Sequence, residues 1–515
     1  MVVEATRGLL ARMIEDSALL TQVRGLDART LGRVVRHIGL EDAGEIVALA
    51  TTDQLRDMFD DDLWVAPEPG TEEKFDGPRF ALWLEILLES GEQFVADKLT
   101  ELPEELVTLG FQKQVFVVDI DALAMEMSGR TCVVDLVEKA LESCLYEEID
   151  RFRVIARRHE HWDAIITTLL ALDRYHHAFL QRLLERCCDA STGYIEDNGG
   201  LYDVLTSEEV IEADAAADRE DRRATAGFVS ASDAAAFFGL PRVHTLEEVV
   251  AKQERDPIAS AYFRSIAPQE HRVAATPQVR DLDQERLVAL LEDAGVVEPT
   301  GLSLPARRSS GKSKHVPSFQ RALEALREDE PEVYAKRTSE LAFLANVLVV
   351  GSSFAGRSFR PVEAAEAAIS TCNIGMDLLV ASSNARASDA AREHSADHLF
   401  RVGWHVLFHE VSMCAAQALV RKLAAMGASA KLISAVHAAI DDQKPWQARP
   451  KVLLKSTPLE PAEREVFSHL LDRFPTLPPK EPAQSTQSSK GTSKPPQFFA
   501  RLADIDVANL LLQGG

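Results

Sequence analysis

The sequence predicts a mainly helical protein, on three observations. Helix breakers are few, with 26 glycines and 23 prolines in 515 residues, which is below the usual share of folded chains. Aromatic residues make up only 6%, whereas alanine, leucine and glutamate, which enter helices at little cost, are abundant. Apolar positions recur three or four apart through most of the chain, the spacing of one helix face. Hydrophobic residues at 46% and charged residues at 27% are globular values and exclude wholesale disorder.

Residues 1–112 read as a stack of short helices. Leu26-Asp27 precedes Leu31, Val34 and Val35; Leu40-Glu41-Asp42 precedes Ile46, Val47 and Leu49; Thr52-Asp53 precedes Leu55, Met58 and Phe59. Each unit opens on an acidic side chain, which suits the positive end of a helix. Helices this short cannot bury a face alone, so they are expected to stack in a superhelical, repeat-like way. Residues 113–304 read as a middle helical domain with an acidic loop. Gln114 to Ile120 is its strand candidate, the minor β element near 114–120, and Val133 to Arg186 reads as helical. Ser230 to Phe238 reads as a capped helix ending at Gly239, with Pro241 just beyond. Residues 305–318 form a basic linker carrying Arg307, Arg308, Lys312 and Lys314. Residues 319–475 read as a C-terminal helical bundle, 476–497 as a Pro/Ser-rich tether, and 498–515 as an amphipathic tail helix.

Charge and cysteine usage narrow the function classes. With 81 acidic and 56 basic side chains the net charge is −25. A body of that charge repels phosphates, so nucleic acid is not an expected partner. The first residues lack a basic stretch followed by an apolar one, so no signal peptide is expected. The uncharged run Leu341 to Gly356 is too short for a membrane span and reads as a core helix. The expected location is cytoplasmic. The six cysteines show no zinc or redox spacing and read as buried free thiols.

The strongest chemical pattern is a stripe of histidines. His394, His398, His405 and His409 lie at offsets that project within about 60° of one another on a helix, on an otherwise apolar surface. Histidines four apart on a helix suit one metal ion. The two pairs, however, are separated by about 16 Å of helix rise and cannot share one ion. Hydrogen bonding to a neighbouring helix is the competing reading. Glu410 projects into the apolar face and, if buried, needs a partner. A second group, His159, His161, His176 and His177, contains one carboxylate-x-x-His pair, Asp173 and His176. A di-iron centre needs two such pairs, so that reading fails. Gly351 to Ser358 has the spacing of a phosphate-binding loop, but Arg357 stands where the lysine belongs and Pro361 falls in the following helix. A helix before Gly351 excludes nucleotide binding there. The acidic run Asp57, Asp60, Asp61 and Asp62 reads as a solvated helix end. No catalytic set is complete and no cofactor-binding motif is present. In the tail, Phe498, Phe499, Leu502, Ile505, Leu510 and Leu511 make an apolar side suited to docking in a groove, on a protein partner or on this chain.

Several stretches together resemble a bacterial family of long helical proteins described only as a domain of unknown function. They are Ile38-Gly-Leu-Glu-Asp-Ala43, Thr52-Asp-Gln-Leu55 leading to Asp62-Leu-Trp64, Trp83-Leu-Glu-Ile-Leu-Leu-Glu-Ser-Gly91 and Arg223-Ala-Thr-Ala-Gly-Phe228. Further on they are Glu340-Leu-Ala-Phe-Leu-Ala-Asn-Val-Leu348, Cys372-Asn-Ile-Gly375 and Phe400-Arg-Val-Gly-Trp404. These are helix-packing signatures, and the resemblance carries over no catalytic residues. The short-helix stack also resembles the helical cytosolic domain of magnesium transporters and flagellar switch-protein repeats, through its Asp/Glu-x-x-apolar units. The leading expectation is a non-enzymatic scaffold or regulatory interaction protein. The alternative is a metal-dependent enzyme built on the histidine stripe.

Overall fold

A computed structural model describes residues 23–67, 71–119, 144–196, 201–273, 318–383, 386–434, 454, 459–478 and 497–513. The basic strip from Arg307 to Lys314 and most of the tether lie outside these residues. The fold is mainly α with a few short strands, as the breaker-poor composition requires. The chain divides into two compact units. Among the described residues, the first holds those up to Val65 and from Lys74 to Arg222; the second holds 66–73 and those from Arg223 onward.

The first unit opens with α1 (Ala28–Ile38), α2 (Gly44–Leu49) and α3 (Thr52–Asp62). Only one of the three expected acidic caps is used as such. The Thr30 N–H donates to Asp27 at 2.9 Å, whereas α3 is closed by a capping box of Thr51 and Gln54, and α2 has no side-chain cap. The Thr51 hydroxyl, two residues before Asp53, does the same work as a carboxylate. Strands β1 (Trp64–Val65) and β2 (Lys74–Phe75) lead to α4 (Gly77–Leu88), α5 (Glu92–Glu101) and α6 (Glu104–Gln112). The expected strand appears as β3 (Val115–Asp119), but it is not isolated. It pairs antiparallel with β5 (Phe152–Ala156), which pairs with β4 (Tyr146–Ile149), giving the order β3-β5-β4. The helical reading from residue 133 therefore fails between 146 and 156. Glu147, Glu148, Arg151 and Arg153 mask the alternation of these strands, whose side chains are largely exposed in β4. Helix α7 (Trp162–Glu196) then packs on α4, α5, α6 and β3, followed by α8 (Leu201–Thr225). One hydrophobic core runs from Val23 to Ala215, so it continues past the boundary expected after residue 112. The short helices bury their faces against α7 as well as against one another, which is what their length demands.

The acidic end of α3 is solvated only in part: Asp57 is exposed, whereas Asp60 and Asp62 are held by partners. Asp60 is buried and paired through both oxygens with Arg222 at 2.8 Å, and its carbonyl accepts from Arg219 Nε at 2.6 Å. Asp62 accepts from Arg79 and from Trp83 Nε1, each at 2.7 Å. Buried carboxylates need such partners, since an uncompensated one would cost several kcal/mol.

The second unit contains α9 (Ala231–Val243), α10 (Leu246–Ala251), α11 (Pro257–Val273), α12 (Ser318–Asp329) and α13 (Pro331–Gly351). After a hairpin of β6 (Ser353–Phe354) and β7 (Arg357–Ser358) come α14 (Pro361–Ser383), α15 (Ala387–Glu393) and α16 (Ala396–Val406). A π-helical turn, Leu407–Met413, joins α16 to α17 (Cys414–Ala425), and α18 (Pro461–Leu470) and α19 (Leu502–Gln513) complete the unit. Helix α14 has the length and apolarity to cross a membrane, yet just over half of that stretch, 56%, is buried inside the protein. Its role here is a core helix packed on α16. The two helices touch backbone to backbone. A Cβ on Gly375 would lie 2.0 Å from the Leu399 carbonyl oxygen, and one on Gly403 would lie 2.0 Å from that of Thr371. Only glycine fits either crossing point.

Three sequence expectations change in this unit. Helix α9 runs through Gly239 and Pro241 to Val243 rather than ending at Gly239. A helix precedes Gly351, so the Gly351–Ser358 stretch is a turn between helices and not a nucleotide loop. Of the cysteines, Cys187, Cys188 and Cys372 are buried free thiols, but Cys144 is exposed and Cys414 is half-buried. Burial pushes the Cys187 thiol up to about 12, which leaves it protonated and unreactive.

Candidate functional site

The histidine stripe does not lie on one continuous helix. His394 follows α15 as its C-cap residue, and the Ser395 side chain caps α16 by accepting from the His398 N–H. His409 sits in the π-helical turn. The wider turn shifts the helical phase of the residues within and beyond it, so Glu410 comes out exposed instead of entering the apolar face.

What the stripe does is satisfy main-chain carbonyls. His398 Nε2 lies 3.1 Å from the Val249 carbonyl oxygen, His405 Nε2 3.1 Å from that of His244, and His409 Nε2 2.9 Å from that of Pro241. Trp404 Nε1 donates to the Phe238 carbonyl at 3.1 Å, and Arg401 Nη2 to that of Glu254 at 2.7 Å. Since a carbonyl only accepts, each imidazole carries its proton on Nε2. The recipients are the C-terminal turns of α9, the end of α10 and the loop before α11. Helix ends leave such carbonyls without intrahelical partners. Pro241 lies inside α9, where a proline costs the helix about 3 kcal/mol, and Trp404 and His409 bond the Phe238 and Pro241 carbonyls beside it.

The rings meet in pairs. His394 and His398 face each other through Nδ1 at 3.2 Å, and the His405 and His409 centroids are 4.3 Å apart. Burial, with the nearby Arg401 and His394, lowers the pKa of His398 to about 4, against the opposing pull of the Val249 carbonyl and Asp397. Burial also lowers the pKa values of His394 and His405. The imidazoles of these three are accordingly neutral near pH 7.

Between α9, α10, the start of α11 and α16 lies a cavity of about 200 Å³. Phe237, Leu240, Pro241, Val249 and Trp404 form its apolar wall, while Arg401, Asp256 and His405 supply polar groups. Glu248 and Lys252 stand at its exposed side. Behind the wall lies a buried ionic network. Arg401 Nη2 is 3.5 Å from Asp397 Oδ2, and the same oxygen accepts from the Asp256 N–H at 3.2 Å. Arg337 and Arg255 bind the two oxygens of the fully buried Glu340 at 2.9 and 2.7 Å, and Glu340 also accepts from the Ala396 N–H at 2.8 Å. Two polar atoms of this network stay without partners although buried: Asp397 Oδ1 and Arg401 Nε.

In the first unit the structure assembles a cluster that the sequence pairing missed. Asp150, Asp173 and His177 bring ligand atoms within 4.8 Å of one another. His177 Nδ1 lies 2.8 Å from Asp173 and its Nε2 lies 3.8 Å from Asp150. The helix breaks at His176, with φ −141° and ψ 50°, which turns His176 to Asp97 at 2.7 Å and leaves Asp173 to His177. The i, i+4 spacing of Asp173 and His177 was readable, but Asp150 comes from the hairpin hidden by its charges.

Most of the tail's apolar residues are buried in the chain itself. Phe498, Phe499 and Ile505 are in the core of the second unit and Leu502 packs against it, whereas Leu510 and Leu511 are exposed. Thr476 and Phe498 form a β-bridge, and the Phe498 ring meets Phe354, Phe359 and Phe474.

The sequence match accords with these packing signatures: the chain matches a family of unknown function over residues 6–463, most of its length. It belongs to the DUF6178 family. No curated protein and no solved structure matches the chain. The DUF6178 match reaches into both units and ends before α19; Cys372–Gly375 and Phe400–Trp404, where α14 and α16 cross, lie within it.

Proposed function

We propose that this DUF6178 protein is a cytoplasmic regulatory protein whose second unit binds a small molecule in the cavity between α9, α10, α11 and α16. The observation that carries this is the Arg401 side chain: it lines the cavity, is more than nine-tenths buried, and has Nη1 without a partner among the described residues. A buried polar group left unsatisfied costs about 1–3 kcal/mol, and a fold keeps that cost where a site uses it. The volume suits a small ligand, since a cavity of about 150 Å³ already holds benzene.

A melting-temperature screen of the full chain against small aromatic and aliphatic acids, amines and amino acids tests this, with Leu240→Trp as a cavity-filling control. Ligands are expected to raise the melting temperature of the wild type and not of Leu240→Trp. If no compound separates the two proteins, the binding reading is wrong.

A further inference from the structure

The charges on the cavity wall specify a ligand class. Arg401 uses Nη2 for the Glu254 carbonyl and Asp397. Its other terminal nitrogen, Nη1, has no partner among the described residues. Asp256 uses Oδ1 to accept from the Ile258 N–H at 2.9 Å, capping α11. Its Oδ2 has no partner among the described residues, although Asp256 is 4% exposed. Both residues line the cavity. Both are also held by a single atom, since Asp397 Oδ2 takes the Asp256 N–H and lies beside Arg401 Nη2. A guanidinium nitrogen and a carboxylate oxygen without partners among the described residues therefore belong to two residues that line one cavity, and no ion pair joins them. A charged group that is mostly buried is costly to leave without a partner, and a ligand in the cavity can supply one. Phe237, Leu240 and Trp404 add apolar surface to the same lining.

We infer that the cavity takes a small zwitterion with an apolar side chain, of the α-amino acid class. Its carboxylate meets Arg401, its ammonium meets Asp256, and its side chain rests on Phe237, Leu240 and Trp404. Charge-assisted hydrogen bonds at both ends give the orientation, and the apolar contact adds affinity by leaving water. This inference rests on the binding reading above and narrows it.

Calorimetric titration of the full chain with L-leucine, 3-methylbutylamine and 4-methylpentanoate tests it. The second and third probes each lack one of the two charges. Leucine is expected to bind at least about tenfold more tightly than either. Arg401→Gln is expected to remove the preference for leucine over the amine. Asp256→Asn keeps the oxygen that caps α11 and is expected to remove the preference over the acid. A variant whose far-UV spectrum and melting temperature match the wild type, but whose preference among the three probes is unchanged, overturns the assignment of that residue. If the amine or the acid binds as well as leucine, the zwitterion is wrong and the cavity still binds. The same holds if none of the three binds while the melting screen yields ligands. If the screen also yields nothing, both readings fall together.

Discussion

His398 shows most directly how one residue ties the stripe to stability. It is fully buried and donates Nε2–H to the Val249 carbonyl. Its pKa falls from an ordinary 6.5 to about 4, chiefly through burial. The unfolded chain therefore binds a proton between these values that the native chain does not. The native advantage is whole above pH 6.5 and declines as pH falls toward 4, below which it is gone. By linkage, the loss between pH 7.5 and pH 5 from this group is about 2 kcal/mol. Urea denaturation of the full chain at the two pH values measures it. His398→Gln, which keeps an N–H donor, is expected to shrink that pH difference by a similar amount. An unchanged pH dependence in the variant would show that His398 already titrates normally. The residue's position was legible in the sequence as part of a polar stripe. Its partner was not, because Val249 lies 149 residues earlier and no periodicity reports so distant a contact. Arg401 and Asp256 share this limit: each is an ordinary charged residue until the fold sets them beside Asp397.

Among the elements, the helices were legible and their ends were not. Apolar spacing located α1 to α3, and the uncharged run located α13. The end of α9 was misread because a Gly-x-Pro stop signal is a local rule, and bonds from α16 and the π turn override it. The hairpin of β4 and β5 was missed because its exposed face carries paired charges, Arg153 with Glu148 among them. The tail helix α19 starts at Leu502, so Phe498 and Phe499 precede it, and both rings lie in the core of this chain's second unit. The tail is fastened by aromatic contacts: Phe498 touches Phe474, and Phe474 stacks on Trp404 at 5.7 Å with ring planes 13° apart. Asn373 Nδ2 also donates to the Ala500 carbonyl. Phe499 is 1% exposed, and removing a buried phenyl ring costs about 3–5 kcal/mol. Phe499→Ala is expected to lower the stability of the second unit by that amount, read by urea denaturation. It is also expected to shift Trp404 emission, since the aromatic contacts run from the tail to the cavity wall. A Phe499→Ala protein of wild-type stability would mean that α19 is not held by this contact.

At the scale of the whole molecule the chain builds two hydrophobic cores, one within Val23–Ala215 and one within Val229–Ala508. The stretches Cys372–Gly375 and Phe400–Trp404 belong to the second. There the α14–α16 crossing brings main chain against main chain, and a Cβ on Gly375 or Gly403 would meet a carbonyl oxygen at 2.0 Å. No side chain can rotate to relieve that contact, so the helices must separate. Separation drags Leu399, Phe400 and Trp404 from the core and opens the wall that carries Arg401. Overpacking of flexible side chains costs about 1–3 kcal/mol, and a backbone clash sits at or above the top of that range. Gly403→Ala is expected to lose about 3 kcal/mol or more from the second unit and to weaken any ligand bound in its cavity. Hydrogen exchange locates the damage. Amides of the helices α9 to α19 are expected to exchange faster, while those of the first unit's described elements keep their wild-type protection, because each core closes on its own residues. Faster exchange throughout the first unit would show instead that the two cores melt as one.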